Sequence, residues 1–246
     1  MEINKTYNEN NLVTMSRMKD DFIDIVVTSP PYNIGKNRFN GANDVKKYDE
    51  YKDNLTIENY FKQTKIWIDE LLRVTKYHVF WNIQEVSGNK GIIAFIMNEY
   101  SDYLKETFIW VKTNPAPSIV ETMASSSYEY IFCLSKDNPR SRKFNYCNFN
   151  NRKKGKQVYN SILKPVNKNR ETKGHNFAFD DWLPNYFINH FSKEGDLVYD
   201  PFMGTGTTAK AAHEYKRKWI GSEISERYVN YSNKRLDPYL RQTKLF

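Results

Sequence analysis

Ser29-Pro-Pro-Tyr32 is the first group in this 246-residue chain whose residue types and spacing could do chemistry. It follows Phe22-Ile-Asp-Ile-Val-Val-Thr28, a β-branched run that predicts a strand. Two consecutive prolines hold the backbone extended and remove two N–H donors, so their carbonyls are expected to point outward from a rigid platform. Ser29 and the Pro30 carbonyl can then accept both N–H bonds of an exocyclic amine, with Tyr32 stacked on the ring that bears it. Accepting both favours partial sp3 character at nitrogen and exposes its lone pair to an electrophilic methyl. A lone tetrapeptide of this kind would more often be a proline loop cap with a surface tyrosine. A second motif shifts the balance toward chemistry.

That motif is Asp200-Pro-Phe-Met-Gly204-Thr-Gly206-Thr-Thr208, placed after a short strand and opening a helix. Glu223 ends the next strand, 17 residues after Gly206. Glycines at such a turn let the backbone approach a ligand, and an acid at the end of the second strand can grip two ribose hydroxyls. Ala209 stands where a dinucleotide fingerprint would have its third glycine, and no lysine follows Gly206 as in a phosphate-cradling loop. A nucleoside with a small zwitterionic tail fits better than a pyrophosphate. By itself the Gly-Thr-Gly turn is weak evidence, consistent with nothing more than tight strand-to-helix packing.

The elements that must position these motifs alternate. Helices are predicted over 57–74, 91–99, 181–191, 207–215 and 225–235, and strands over 22–28, 79–83, 106–111, 128–134, 197–199 and 218–221. Such alternation implies a mostly parallel α/β sheet covered on both faces. Two cysteines exclude a disulfide scaffold, and four histidines show no metal-ligand spacing. No apolar run reaches the length of a membrane span, and MEINKTYNEN lacks a signal-peptide core. A cytoplasmic protein without a membrane or metal partner is expected.

The formal charge of +8 is unevenly placed. Lys136 to Lys173 holds twelve basic and two acidic residues, a local +10, so the remainder carries −2. Eight asparagines and several aromatics lie in the same stretch. Lysines neutralise phosphates, and guanidinium and amide groups read base edges, so a polyanion partner is implied. A charge run without context is more often a solvated loop.

Together these residues resemble the amino-group DNA methyltransferases that use S-adenosylmethionine, in the circularly permuted β-type order. Ser29-Pro-Pro-Tyr32 matches the catalytic tetrapeptide, Asp200-Pro-Phe-x-Gly-x-Gly206 the cofactor turn and Glu223 the ribose-binding acid. His175–Leu183, Trp110-Val-Lys112 and Tyr128-Glu-Tyr130 are similar to other family segments. The resemblance implies a Rossmann-like, seven-stranded, circularly permuted methyltransferase sheet. Residues 1–135 would be the catalytic half, 136–174 a basic target-recognition insert, and 175–246 the cofactor half.

It further implies S-adenosylmethionine as cofactor and double-stranded DNA as substrate, with the target base flipped out of the duplex. Ser29, Pro30, Pro31 and Tyr32 would be catalytic. Asn10, Asp200, Pro201, Phe202, Gly204, Gly206, Thr207, Thr208 and Glu223 would hold the cofactor. Asn10 stands where the family often has an acid for the adenine amine, and its amide oxygen can accept that hydrogen bond. Lys36 and Arg38, in the loop from Ile34 to Asp53, and Arg152, Lys153, Lys154 and Lys156 would meet DNA. Position in the family order makes the basic stretch a DNA contact rather than a solvated loop.

Serine at the head of the tetrapeptide favours cytosine N4 over adenine N6. An RNA or protein-amide methyltransferase is the enzyme alternative, and the +10 segment argues against a protein substrate. A catalytically idle DNA-binding protein is the alternative of another class. The resemblance also implies a cognate restriction endonuclease system as partner, with the enzyme acting as a monomer or homodimer.

Overall fold

The computed structural model describes residues 1–35, 53–118, 121–147, 159–166 and 180–242. Among the described residues eight strands form one sheet, not seven. They are β1 (Lys5–Asn8), β2 (Ile23–Thr28), β3 (Thr75–Ile83), β4 (Leu104–Lys112), β5 (Tyr128–Leu134), β6 (Ser161–Lys164), β7 (Leu197–Asp200) and β8 (Lys218–Glu223), in the order β1-β8-β7-β2-β3-β5-β4-β6. The helices are α1 (Asn11–Ser16), α2 (Ile57–Val74), α3 (Ile92–Glu99), α4 (Trp182–Phe191), α5 (Thr207–Glu214) and α6 (Glu226–Gln242). β5 runs antiparallel to its neighbours β3 and β4, and the other described pairings are parallel.

Three elements have no counterpart in the apolar periodicity. β1 is short and mostly polar, α1 has only six residues, half of them polar, and β6 lies inside the basic segment. Neighbouring strands recruit the two strands: β1 pairs with β8 and β6 with β4 through backbone groups, which carry no sequence signature. α6 runs past the expected Arg235 and through Pro238.

The central strand β2 is buried on both faces, as a β-branched strand inside a parallel sheet must be. One face packs Val26, Val79, Trp81 and Phe132 under Met15, Tyr60, Ile68, Leu71 and Ile96 of helices α1, α2 and α3. The other packs Ile25, Val27, Phe80 and Ile131 under Leu183, Phe187, Ala209, Ala212 and Leu236 of α4, α5 and α6. Period-2 alternation thus sends successive strand residues into two cores.

The described parts of the basic segment belong to this body. Lys105 is buried and donates to the carbonyls of Asn138 (3.0 Å) and Ser141 (2.9 Å). Phe144 meets Phe191 edge-on at 4.8 Å, and the half-buried Cys147 packs on the second core. No helix among the described residues is long and apolar enough to cross a membrane.

Candidate active site

β2 and β7 are adjacent and parallel, but the chain leaves β2 toward β3 and β7 toward β8, on opposite sides. Crevices at such switch points, beyond the carboxyl ends of the strands, are where open α/β sheets bind ligands. Both motifs sit there. A cavity of about 380 Å³ is lined by Ser29, Pro30, Pro31 and Tyr32 after β2 and by Asp200 to Thr205 with Thr207 after β7. Glu223 and Ile224 after β8, and Asn10, Asn11 and Leu12 after β1, complete that side.

The tetrapeptide is held from outside the cavity. The Tyr60 hydroxyl donates to the Pro31 carbonyl at 2.7 Å, so this carbonyl does not point outward as expected and Pro30 keeps the one that remains. Asn33, in left-handed backbone at φ 59°, follows directly. Its amide exchanges bonds with Leu55 (2.7 and 2.9 Å) and donates to the Gly88 carbonyl (2.6 Å). The Asp53 carboxylate receives the N–H groups of Asn33 and Ile34 at 2.7 and 3.0 Å.

Tyr32 is half-buried, and its hydroxyl lies 2.9 Å from Ser29 Oγ and donates to Glu129 Oε2 at 3.0 Å. Burial first, and the Glu129 carboxylate second, push its phenol well above the ordinary value of 10. Asn82 Nδ2 donates to the same Glu129 oxygen at 2.8 Å. Lys112 Nζ pairs with Glu129 Oε1 at 2.7 Å and reaches Gln84 Oε1 at 3.1 Å.

Glu129, Lys112 and Gln84 belong to neither motif. Glu129 has a signal in the sequence, a single carboxylate in the otherwise apolar β5; Lys112 ends a β4 that also holds Lys105 and Glu106, and Gln84 follows β3 without a mark of its own. Alternation places Glu129 on the face of Ile131, Lys112 on that of Trp110 and Asn82 on that of Phe80, so three core columns end in polar groups at the cavity. Trp81 is fully buried in the opposite core.

On the β7 side the roles divide. Gly204, at φ 51°, has only the Phe202 carbonyl within 4 Å of where a Cβ would stand, at 3.8 Å, so its backbone borders open cavity. Its N–H donates to Glu223 Oε2 at 2.8 Å, and Ser225 N donates to Oε1 at 2.9 Å. Burial raises the Glu223 carboxyl above its ordinary range.

Gly206 and Thr208 do not line the cavity. A Cβ on Gly206 would stand 2.3 Å from Ser232 Oγ, so this glycine serves the packing of α6 rather than ligand approach. Thr208 Oγ1 donates to Asp200 Oδ2 at 2.6 Å, while Oδ1 takes Thr28 Oγ1 (2.7 Å) and Phe202 N (3.0 Å). Asp200 therefore borders the cavity, but its carboxylate ties the loop together. Asn10 caps α1, its Oδ1 accepting from Leu12 N at 2.8 Å. Lys36, Arg38, Arg152, Lys153, Lys154, Lys156 and His175 lie outside the described residues.

A nucleoside with a charged tail fits this wall. Each Glu223 oxygen takes one backbone N–H and keeps lone pairs for ribose hydroxyls, and Leu12, Phe202 and Ile224 offer apolar surface for a flat base. The family model described as DNA methylase, covering the N6 and N4 methyltransferases, matches residues 23–234. The chain belongs to that family, the S-adenosylmethionine-dependent DNA amino-methyltransferases.

It is similar to the orphan methyltransferase M.BamHII of Bacillus amyloliquefaciens, 30% identical over 262 residues that cover 90% of this chain and 91% of that one. It is also 27% identical over 239 residues to the type II methyltransferase M.HinfI of Haemophilus influenzae, covering 90% of this chain and 65% of that protein. The PvuII cytosine-N4-specific DNA methyltransferase superposes with a TM-score of 0.69 at 19% identity, over 96% of this chain and 93% of that one. The M1.HpyAVI–SAM complex gives 0.66 at 21%, over 95% and 98%. These two likenesses bear on the fold.

Proposed function

We propose that this chain methylates the exocyclic amine of a flipped-out base in double-stranded DNA, cytosine N4 ahead of adenine N6. The observation that carries it is the convergence of Ser29, Pro30 and Tyr32 from one motif, and Gly204 and Glu223 from the other, on a single cavity. S-adenosylmethionine, when bound, supplies an electrophilic methyl on a sulfonium. Glu223 would hold its ribose, with Leu12, Phe202 and Ile224 about its adenine.

Ser29 Oγ and the Pro30 carbonyl accept the two N–H bonds of the amine and aim its lone pair across the cavity, while the Tyr32 ring walls the base. Favouring the pyramidal amine lowers the barrier because that geometry belongs to the transition state. Serine at position 29, rather than an acid or amide, supports cytosine. The order of the motifs, catalytic before cofactor, supports the circular permutation. Arg152, Lys153, Lys154 and Lys156 would neutralise DNA phosphates.

Purified chain with labelled S-adenosylmethionine and mixed-sequence duplex DNA tests this, followed by digestion and chromatography of the nucleosides. Label in N4-methylcytosine is expected, and label in N6-methyladenine would reverse the order of bases. DNA binding without label would favour a catalytically idle DNA-binding protein. Methylation that survives Pro31→Ala with Tyr32→Ala would remove the active site from this cavity.

A further inference from the structure

Glu129 and Lys112 form an ion pair at 2.7 Å with side chains only 10% and 11% exposed. Taking two charges out of water costs about as much as their attraction returns, so such a pair is a poor device for stability alone. Its position at the cavity, two bonds from Ser29, gives it another use.

The hydrogen bonds along the chain Glu129, Tyr32, Ser29 have only one consistent direction. A carboxylate has lone pairs and no proton, so Tyr32 spends its single proton on Glu129 Oε2, 3.0 Å away. The phenol oxygen is then an acceptor, and the contact of 2.9 Å with Ser29 is completed by the serine's proton. Ser29 Oγ retains only lone pairs toward the cavity. Asn82 on Oε2 and Lys112 on Oε1 hold the carboxylate in the orientation that starts the chain. The raised phenol pKa keeps Tyr32 a donor throughout the neutral range.

We infer that Glu129 is a positioning residue for methyl transfer: acting through Tyr32, it fixes Ser29 Oγ as a hydrogen-bond acceptor toward the substrate amine. This rests on the proposed function above. A hydroxyl that could otherwise donate or accept is made equivalent to a carbonyl. The amine's N–H finds an acceptor without a rotation that must be repeated at each turnover. The same polarity places lone pairs against the keto oxygen of a thymine or guanine at this position, so an amino base is selected over a keto base.

The test is a double-mutant cycle with labelled S-adenosylmethionine and mixed-sequence duplex DNA in single turnover, with KM for the cofactor measured separately. Glutamine can turn either its amide NH2 or its carbonyl to Tyr32 and so loses the direction. Glu129→Gln is expected to lower the rate roughly 10- to 100-fold with cofactor KM changed less than about twofold. In a Ser29→Ala background the same replacement should cost less than about threefold, because no hydroxyl remains to be oriented.

Equal losses in the two backgrounds, or a cofactor KM that rises with the loss of rate, would overturn the role of Glu129. Should Glu129→Gln fail to fold, Tyr32→Phe breaks the same chain while keeping the ring and the Glu129–Lys112 pair. It should show the same non-additivity with Ser29→Ala, and a wild-type rate in Tyr32→Phe would overturn the inference. Wild-type protein that transfers no label would overturn the underlying function and the inference with it. Label transfer without coupling overturns the inference alone.

Discussion

Thr28 Oγ1, at the end of β2, donates a buried 2.7 Å hydrogen bond to Asp200 Oδ1 at the end of β7, across 172 residues of chain. Thr208 Oγ1 and Phe202 N complete the shell of that carboxylate. The Ser29-Pro-Pro-Tyr32 motif begins at the next residue after Thr28, and the glycine-turn motif begins with Asp200 itself. One carboxylate thus sets the spacing between the two motifs, where an error of an ångström would misalign donor and acceptor.

Thr28→Val keeps the shape and removes the donor, so it should cost about 1–2 kcal/mol in urea unfolding. Asp200→Ala strands three donors and should cost about 3 kcal/mol or more. Both should slow methyl transfer, and Asp200→Ala should also weaken cofactor binding because the turn after β7 loses its anchor. An Asp200→Ala protein with wild-type stability would show that the carboxylate does not hold the motifs.

Glu223 gives a second prediction on the cofactor side. Glu223→Gln keeps the shape but can accept through only one atom, so either Gly204 N or Ser225 N loses its partner. Cofactor Kd should rise by roughly 10- to 100-fold, read by calorimetry, while affinity for duplex DNA stays within about twofold. A fall in DNA affinity of the same size would mean that Glu223 supports the whole fold rather than the cofactor.

How far the sequence displays this site depends on how local each part is. Ser29–Tyr32 and Asp200–Gly206 are contiguous, follow recognisable strands and declare themselves through proline and glycine. α2 and β5 have the predicted limits, because amphipathic or β-branched runs decide their own ends. Glu129, Lys112 and Asn82 meet only through the antiparallel pairing of β5 with both β3 and β4, in which Glu129 lies opposite Trp110 and Tyr130 opposite Ile83. That register is a tertiary fact. Gly206 reads as a ligand-approach glycine in sequence and is a packing glycine in space, since its neighbour Ser232 lies on a helix 26 residues later.

Gly88 carries a third prediction. It lies in a short 3-10 turn where a Cβ would fall 1.7 Å from the Asn33 carbonyl oxygen, so even alanine must displace the segment that follows Tyr32. Gly88→Ala should cost about 1–3 kcal/mol and lower methyl transfer by at least about tenfold, with cofactor affinity little changed. Gly195→Ala is the control: its φ is 86° with nothing within 4 Å, so only backbone strain of about 1 kcal/mol is expected and transfer should persist. Equal effects of the two on transfer would remove the special role of Gly88.

His78 supplies a prediction in pH. Its ring is 1% exposed, between Phe80 at 6.0 Å and Phe144 at 5.5 Å. Burial, and then the Lys105 ammonium, bring its pKa from 6.5 to about 4. The folded protein therefore holds a neutral imidazole where the unfolded chain takes up a proton below 6.5. With the folded value depressed, the associated stability is complete above pH 6.5 and is lost as pH falls toward 4. The loss at pH 4.5 relative to pH 7 should be about 2–3 kcal/mol. His78→Phe places an apolar ring among the same aromatics and removes the titration. Urea unfolding at the two pH values should show the wild-type loss exceeding that of His78→Phe by this amount. Equal losses would place the acid sensitivity of the fold elsewhere.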